Sequence, residues 1–292
     1  MDRDYHEAIT YSFVDPALQA LLDPQAAPAL LANPIAADMA VMRTQLWPGL
    51  LTALTYNHNR QQARIRLFEI GPRFIPGPNG VRQELAVAGA IHGPAAPEQW
   101  GVPARPLDFY DLKGDVEALL GAAHVEIETR AAQHPALHPG QCAAVSRRDN
   151  GRDENIGLFG MLHPAIQAKL GLEQPVFLFE LGLAGLASGE IPRFREISKY
   201  PAVRRDLAVV VDRSTPARAV LDCVAKAAGD LLANLELFDE YRGEGIDFGR
   251  KSLALALTLQ DSSRTLNDEA AEAVIQRVVA ALGSELDARL RQ

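Results

Sequence analysis

The order of strands and helices in the C-terminal third of the chain constrains the fold more than any other feature. Asp206–Val211 is a nearly continuous apolar run that predicts a strand. Ser214-Thr-Pro216 places a hydroxyl cap before a proline at the expected first helical position, and Gly229 is a typical helix stop. The predicted elements that follow are strands at Leu235–Tyr241 and Ser252–Gln260, a helix from Asn267 to Gly283, and a short last strand at Leu286–Leu290. This order is the split βαβ, or ferredoxin-like, arrangement.

A basic and aromatic cluster precedes the first of these strands. It comprises Arg193, Arg195, Lys199, Tyr200, Arg204 and Arg205. An open sheet with such a cluster at one end is a suitable platform for a single-stranded RNA loop, because unstacked bases bind to aromatic rings and arginine planes. A solvated linker with scattered charge is the alternative interpretation.

The N-terminal part mixes strands and helices without regular alternation, which favours an α+β fold around an antiparallel sheet. A polar segment with turn residues, near 187–200, separates the two blocks. We therefore expect one domain over residues 1–190 and a second over 195–292. The predicted strands are Arg64–Ile70, Leu85–Ile91 and Val176–Leu181; the predicted helices are Leu46–Asn57, Asp111–Leu120 and Pro164–Leu170; Pro72–Asn79 and His134–Gln141 are predicted loops.

Charge and composition exclude several classes of protein. The 29 Lys and Arg residues against 37 Asp and Glu residues give a net charge of −8, which argues against a whole-surface nucleic-acid binder and against DNA as a partner. No apolar run approaches the roughly 20 residues of a membrane span. Cys142 and Cys223 are far apart in apolar settings, so we expect free thiols and a cytoplasmic location.

No sequence pattern predicts catalysis or metal binding. The chain has no phosphate loop and no cysteine pair at zinc spacing. His134 and His138 are four residues apart, but Pro135 and Pro139 make a shared helical face there implausible, so no metal site is expected. Alternation in the strand that begins at Arg64 places Arg64, Arg66 and Phe68 on one face and Glu69 on the other. Such a strand fits a nucleotide site, a salt-bridge ladder or an interface.

Several longer strings resemble one family. In the first block they are Met42-Arg-Thr-Gln-Leu-Trp-Pro-Gly-Leu-Leu51, Leu67-Phe-Glu-Ile-Gly71, Phe109-Tyr-Asp-Leu-Lys-Gly-Asp-Val-Glu117, His138-Pro-Gly-Gln141 and Gly160-Met-Leu-His-Pro164. In the second block they are Tyr200-Pro-Ala-Val-Arg-Arg-Asp206, Phe238-Asp-Glu-Tyr-Arg-Gly243, Lys251-Ser-Leu-Ala254 and Arg264-Thr-Leu266. Together they resemble the β subunits of bacterial phenylalanyl-tRNA synthetases over essentially the whole chain.

The resemblance implies a class II synthetase-like domain that has lost catalytic activity, followed by a ferredoxin-fold anticodon-binding domain. In the catalytic α subunit, the strand corresponding to Phe177–Leu186 ends in an arginine that contacts ATP, and here no arginine lies between Arg152 and Arg193. The chain alone is therefore expected to be inactive and to bind no cofactor, whereas the assembled enzyme uses ATP and magnesium. The family's β subunits are much longer, so the sequence is expected to be one piece of such a subunit. A self-sufficient ligase is one rival interpretation, and a structural or dimerisation module without RNA contact is another.

The resemblance also implies two partners, the α subunit and tRNA(Phe). The residues expected to contact the tRNA anticodon region are Lys199, Tyr200, Arg204, Arg205 and Arg264. Asp206 is expected to orient an arginine, and a simple pairing of Arg205 with Asp206 is the competing possibility. An exposed apolar surface for the α subunit is expected at Met42, Leu46, Trp47, Leu50 and Leu51.

Overall fold

A computed structural model of the protein describes residues 3–122, 127–149, 152–186, 194 and 198–291. The chain divides into two compact units, Met1–Pro192 and Arg193–Gln292. Each unit has its own hydrophobic core and is described by itself.

The first unit is built on a seven-stranded sheet in the order β1-β4-β5-β9-β8-β7-β6. All neighbours are antiparallel except β1 and β4, and β2 pairs with β3 separately. The strands are β1 (His6–Glu7), β2 (Phe13–Val14), β3 (Val41–Met42), β4 (Ile65–Gly77), β5 (Gly80–His92), β6 (Ile127–Ala131), β7 (Leu137–Asp149), β8 (Arg152–Leu162) and β9 (Val176–Gly182). The helices are α1 (Pro16–Leu22), α2 (Trp47–His58), α3 (Phe109–Ala122), α4 (Pro164–Lys169) and α5 (Leu183–Leu186). The mixed α+β architecture predicted from the sequence is confirmed.

Helices cover both faces of the central strands. Successive side chains of a strand point to opposite faces, so Ala86, Ala88 and Ala90 of β5 face one way and Val87 and Ile91 the other. The alanines share a core with the apolar side of α2, whereas the alternate residues share a core with α3. Small side chains on β5 leave room for the larger residues of α2.

The predicted loop at Pro72–Asn79 is wrong, because β4 and β5 pair continuously from Ile65 opposite His92 to Gly77 opposite Gly80. β1 pairs with β4 only at Leu67 and Phe68, so the later part of β4 lies at the sheet edge, where proline is tolerated. The loop predicted over His134–Gln141 is also shorter than expected, because β7 begins at Leu137.

The second unit is a four-stranded antiparallel sheet in the order β11-β12-β10-β13. Its elements are β10 (Val203–Asp212), α6 (Ala217–Ala228), β11 (Leu232–Tyr241), β12 (Arg250–Leu259), α7 (Asp268–Leu286) and β13 (Arg289–Leu290). Both helices pack on one face of the sheet. The predicted split βαβ arrangement is confirmed.

The helix caps of this unit agree only in part with the sequence prediction. The Asn267 side chain accepts a hydrogen bond from the Ala270 backbone N–H at 2.9 Å, as predicted, and Gly229 ends α6 with a φ of 67°. Pro216, however, is the N-cap itself, and no side chain caps α6. The Ser214 hydroxyl donates to the Asp212 carboxylate instead of capping the helix. Helix α7 continues past Gly283 to Leu286, which packs against the core, and ends where Asp287 takes a φ of 49°.

Two predictions concern the whole chain. Cys142 and Cys223 are both free and buried, as predicted. Of the helices in the described ranges, none is long and apolar enough to cross a lipid bilayer.

Candidate nucleic-acid interface

Within the described residues of the second unit, both helices lie on one face of the β11-β12-β10-β13 sheet, and its other face carries neither. Leu207, Val209 and Val211 of β10 are buried in the core with α6 and α7. The residues between them therefore lie on the opposite, open face. The register places Asp206 opposite Ala256 and Ala208 opposite Ala254, so these pairs share that face.

Small side chains form the floor of this open face. They are Ala208 of β10 and Ser252, Ala254 and Ala256 of β12. Larger side chains stand around this floor, on the two outer strands and at the start of β10. Ser252 and Ala256 are only 3% exposed, so these larger side chains already cover much of the floor.

The rim combines aromatic rings with arginines. Phe238 of β11 is 51% exposed, and the Arg204 guanidinium carbon lies 5.9 Å from its ring centroid. The Arg291 guanidinium carbon lies 4.6 Å from the Tyr241 ring centroid. Arg289 of β13 is opposite Val210, which places it on the same face. Nucleobases bind to such pairs by stacking on the ring or on the guanidinium plane.

The Asp206 carboxylate orients one of the rim arginines, Arg204. Asp206 accepts a hydrogen bond from Arg204 Nε at 2.9 Å, which agrees with the role expected of Asp206. This hydrogen bond and the charge of Asp206 raise the pKa of Arg204, which stays a cation at all pH values of interest. The Arg204 side chain is 60% exposed, so it remains accessible to a ligand.

The segment before β10 is tied to the end of β12. Gln260 Nε2 donates to the Tyr200 carbonyl oxygen at 2.7 Å, and Ser198 Oγ donates to the Asp261 carbonyl oxygen at 3.0 Å. The Asp261 carboxylate accepts from Arg264 Nε at 3.2 Å. The exposed side chains of Lys199, Tyr200 and Arg264 therefore lie at the Arg204 end of the sheet.

Arg205 lies on the opposite face from Arg204. Its Nη2 donates to Asp268 at 2.6 Å, at the start of α7. The competing possibility that Arg205 pairs with Asp206 is wrong, because neighbouring strand residues point to opposite faces. Four of the five predicted RNA-contact residues thus lie together, and Arg205 does not join them.

Sequence reasoning missed the aromatic half of the surface and its C-terminal arginines: Phe238, Tyr241, Arg289 and Arg291. An irregularity between Leu237 and Asp239 breaks the alternation of β11, so simple periodicity could not place Phe238. Arg289 and Arg291 join the face only through the pairing of β13 with β10.

In the first unit, the charged residues of β4 are held in internal ion pairs. Arg66 pairs with Asp115 of α3, which also accepts from the Tyr5 hydroxyl at 2.9 Å. Glu69 pairs with the buried Arg43 at 2.8 Å. The sequence left three interpretations of this strand: a nucleotide site, a salt-bridge ladder or an interface. These two ion pairs fit neither a nucleotide site nor a ladder between neighbouring strands.

Strand β9 carries a buried carboxylate, Glu180, within the stretch that lacks the arginine expected of a catalytic subunit. Glu180 accepts from Leu46 N at 2.7 Å and from Arg73 Nη1 at 2.9 Å. Burial raises the pKa of Glu180, while Arg73 and the Leu46 N–H act in the opposite direction. The sheet face above is covered by α2. These residues do not fit ATP, whose phosphates require accessible cations.

The expected apolar surface for the α subunit is wrong for four of its five residues. Leu46, Trp47, Leu50 and Leu51 are at most 1% exposed. Trp47 Nε1 also donates to the Phe179 carbonyl oxygen at 3.0 Å. The alanines of β5 give these side chains space inside the unit, so they need no partner to cover them. Met42, on β3, is partly exposed.

Two family models match the chain. Residues 1–183 match the phenylalanyl tRNA synthetase beta chain CLM domain, and residues 198–291 match the ferredoxin-fold anticodon binding domain. The chain belongs to the phenylalanyl-tRNA synthetase β-chain family. The open sheet face therefore belongs to an anticodon-binding type of domain, and the resemblance drawn from the sequence is confirmed.

Curated relatives are similar over the full length of this chain. The phenylalanine–tRNA ligase beta subunit of Pseudomonas savastanoi pv. phaseolicola is 50% identical over 292 residues, covering 99% of this chain and 36% of that protein. Those of Nitrosococcus oceani and Methylococcus capsulatus are 49% and 47% identical and cover at least as much of this chain. The chain spans a little over one third of the length of these relatives.

Proposed function

We propose that this chain serves a phenylalanine–tRNA ligase, as the part of its β subunit that recognises the anticodon region of tRNA(Phe) and supports the catalytic α subunit. In this proposal residues 195–292 form the RNA-reading domain and residues 1–190 the supporting domain, both in the cytoplasm. The assembled enzyme would use ATP and magnesium, which this chain would not bind. The observation that carries the proposal is the open face on which Arg204, Phe238, Tyr241 and Arg291 surround a floor of small residues.

The open face supports RNA binding because it combines three properties. Its aromatic rings offer stacking surfaces, its arginines neutralise phosphates, and its backbone is already ordered by the sheet. The chain's net charge of −8 makes a long basic track unsuitable, so recognition would be confined to a few nucleotides of one loop.

A direct test uses two arginine pairs that differ in position. Arg204→Ala and Arg291→Ala remove rim arginines, whereas Arg205→Ala and Arg218→Ala remove arginines that are paired with Asp268 and Asp222 away from the open face. In titrations with tRNA(Phe) transcript, we expect the rim variants to bind roughly tenfold more weakly and the control variants to bind like the parent chain. Equal losses in both pairs would mean that the RNA is not contacted at the open face in particular, whereas no binding by the parent would favour a structural module without RNA contact.

We further propose that the α subunit docks beside α2, on its solvent side. A groove there is lined by Ile9, Tyr11, Asp38, Pro48 and Tyr56, and Ile9, Tyr11 and Tyr56 are exposed. The named relatives are beta subunits, which makes a companion subunit the occupant to test. We expect Tyr11→Asp with Tyr56→Asp to abolish co-sedimentation with an α subunit, while Tyr110→Asp, at another exposed tyrosine, leaves it unchanged.

The rival of a self-sufficient ligase can be tested separately. We expect no phenylalanine-dependent ATP–pyrophosphate exchange by the pure chain, because Phe177–Leu186 contains no arginine to contact ATP. Exchange activity that co-purifies with the chain through several columns would overturn this expectation.

A further inference from the structure

Two histidines meet where α2 and β5 end. His58 is the last residue of α2, and His92 is the last residue of β5. His92 Nε2 lies 3.2 Å from His58 Nδ1, and the two ring planes are nearly perpendicular, with their centroids 5.0 Å apart. His92 is 2% exposed, whereas His58 is only partly buried.

A backbone carbonyl determines which nitrogen of His92 carries the proton. His92 Nδ1 lies 3.2 Å from the Pro175 carbonyl oxygen, which can only accept a hydrogen bond. Nδ1 is therefore the protonated nitrogen, and Nε2 presents its lone pair to His58. Histidines that bind metals are held in the same way, with the second ring nitrogen donating to a carbonyl or carboxylate.

The separation of the two nitrogens matches shared coordination. Two imidazole nitrogens that each lie about 2.0–2.1 Å from one tetrahedral ion are roughly 3.3 Å apart. The observed 3.2 Å is therefore suited to a common ion as well as to a hydrogen bond between the rings.

A third observation comes from α2 itself. Thr55 precedes His58 by three residues, so the two lie on the same side of the helix. Thr55 Oγ1 is buried and has no hydrogen-bond partner in the described part of the chain. A water bound to an ion at the two histidines would offer this hydroxyl a partner.

We propose that His58 Nδ1 and His92 Nε2 together bind one first-row transition-metal ion of the Zn²⁺ or Cu²⁺ class, with water completing its coordination. On binding, the proton of His58 Nδ1 moves through solvent to Nε2 of the same ring, so the pair stays neutral and the nitrogen becomes a ligand. The ion links the end of α2 to the end of β5 and stabilises that corner of the first unit. This site is independent of the function proposed above.

The described residues supply no third protein ligand, since they contain no group of three or more His, Cys, Asp or Glu placed to hold a metal. We therefore expect moderate affinity, with Cu²⁺ bound more tightly than Zn²⁺, as the usual order for nitrogen ligands requires.

The experiment uses the untagged full chain with Zn²⁺ in calorimetry and Cu²⁺ in electron paramagnetic resonance. We expect one ion per chain, and a Cu²⁺ spectrum with hyperfine coupling to two imidazole nitrogens. His58→Ala should weaken binding by at least about tenfold, because the ion loses one of its two protein ligands. His138→Ala is the matched control, because its partly buried ring already accepts from the Gly140 backbone N–H.

Two results would overturn the proposal. One is a parent chain that binds Zn²⁺ no more tightly than His58→Ala. The other is a Cu²⁺ spectrum of the parent chain with a single coupled nitrogen. A Cu²⁺ spectrum that changes in His138→Ala but not in His58→Ala would count in the same way. The spectrum of the parent chain decides the case even if a variant at the buried His92 fails to fold.

Discussion

Glu180 accepts a hydrogen bond from the backbone N–H of Leu46 at 2.7 Å, so a carboxylate on β9 holds the residue that caps α2. Arg73 neutralises the same carboxylate from β4 at 2.9 Å. Glu180 thereby links β9 both to β4 and to the start of α2.

Replacing Glu180 should destabilise the first unit. Glu180→Ala leaves the Leu46 N–H without an acceptor and Arg73 without its buried partner, which should lower the free energy of unfolding by about 2 kcal/mol or more. Glu180→Gln retains an acceptor and should cost less. The matched control is Glu84→Ala, which removes the more exposed partner of Arg73 and should cost under about 1 kcal/mol. Urea unfolding measures all three; equal costs for the two alanine variants would contradict the prediction.

The buried pair of Arg43 and Glu69 should be sensitive to the loss of one partner. Arg43→Met leaves a carboxylate that is about 4% exposed without its cation, and we expect a loss of about 3–5 kcal/mol. The double variant Arg43→Met with Glu69→Gln should recover part of that loss, because no buried charge remains. Thermal or urea unfolding of the parent, of Arg43→Met, of Glu69→Gln and of the double variant completes the cycle. A double variant as unstable as the sum of its two single variants would show that the pair is not coupled.

Stability at alkaline pH should depend on Tyr5. Burial, together with the neighbouring charge of Asp115, raises the pKa of this phenol well above its usual value of 10.0. The folded chain therefore holds the proton more tightly than the unfolded chain. The stabilisation is complete below about pH 10 and is lost as the pH rises further toward the pKa of the folded state.

The measurement compares urea unfolding at pH 9 and pH 11. Between these values the parent chain should lose about 1 kcal/mol more than Tyr5→Phe, which has no phenol to titrate. Tyr56→Phe, at an exposed ring, should follow the parent. Identical slopes for the parent and Tyr5→Phe would mean that Tyr5 titrates normally.

Salt dependence should reveal the phosphate contacts of the second unit. Replacing both Lys199 and Arg204 by alanine should weaken binding to tRNA(Phe) and reduce the slope of log affinity against log salt by about one to two released ions. The paired Arg205 and Arg218 give the control double variant. If the slope of the first double variant equals that of the parent, the phosphates are contacted elsewhere.

Local sequence signals determined the element order of this protein. Asn267 caps α7 and Gly229 ends α6 because these effects involve residues only a few positions apart. Leucines at every second position of β12, from Leu253 to Leu259, are all buried, a local pattern of the kind that the sequence shows directly. Long matching strings also identified the family, since they need no knowledge of contacts.

Tertiary structure alone decided the direction in which several side chains point. Leu46 and Trp47 form an apolar segment that resembles an interface in the sequence, but the alanines of β5 make room for them inside the unit. Arg204 and Arg205 are adjacent in the sequence, and only the packing of α6 and α7 determines which of them remains on the open face. Phe238 and Arg291 reach that face through an irregular strand and a distant strand pairing. His58 and His92 likewise meet only through folding, because contacts between residues far apart in the chain leave no periodic signal in its sequence.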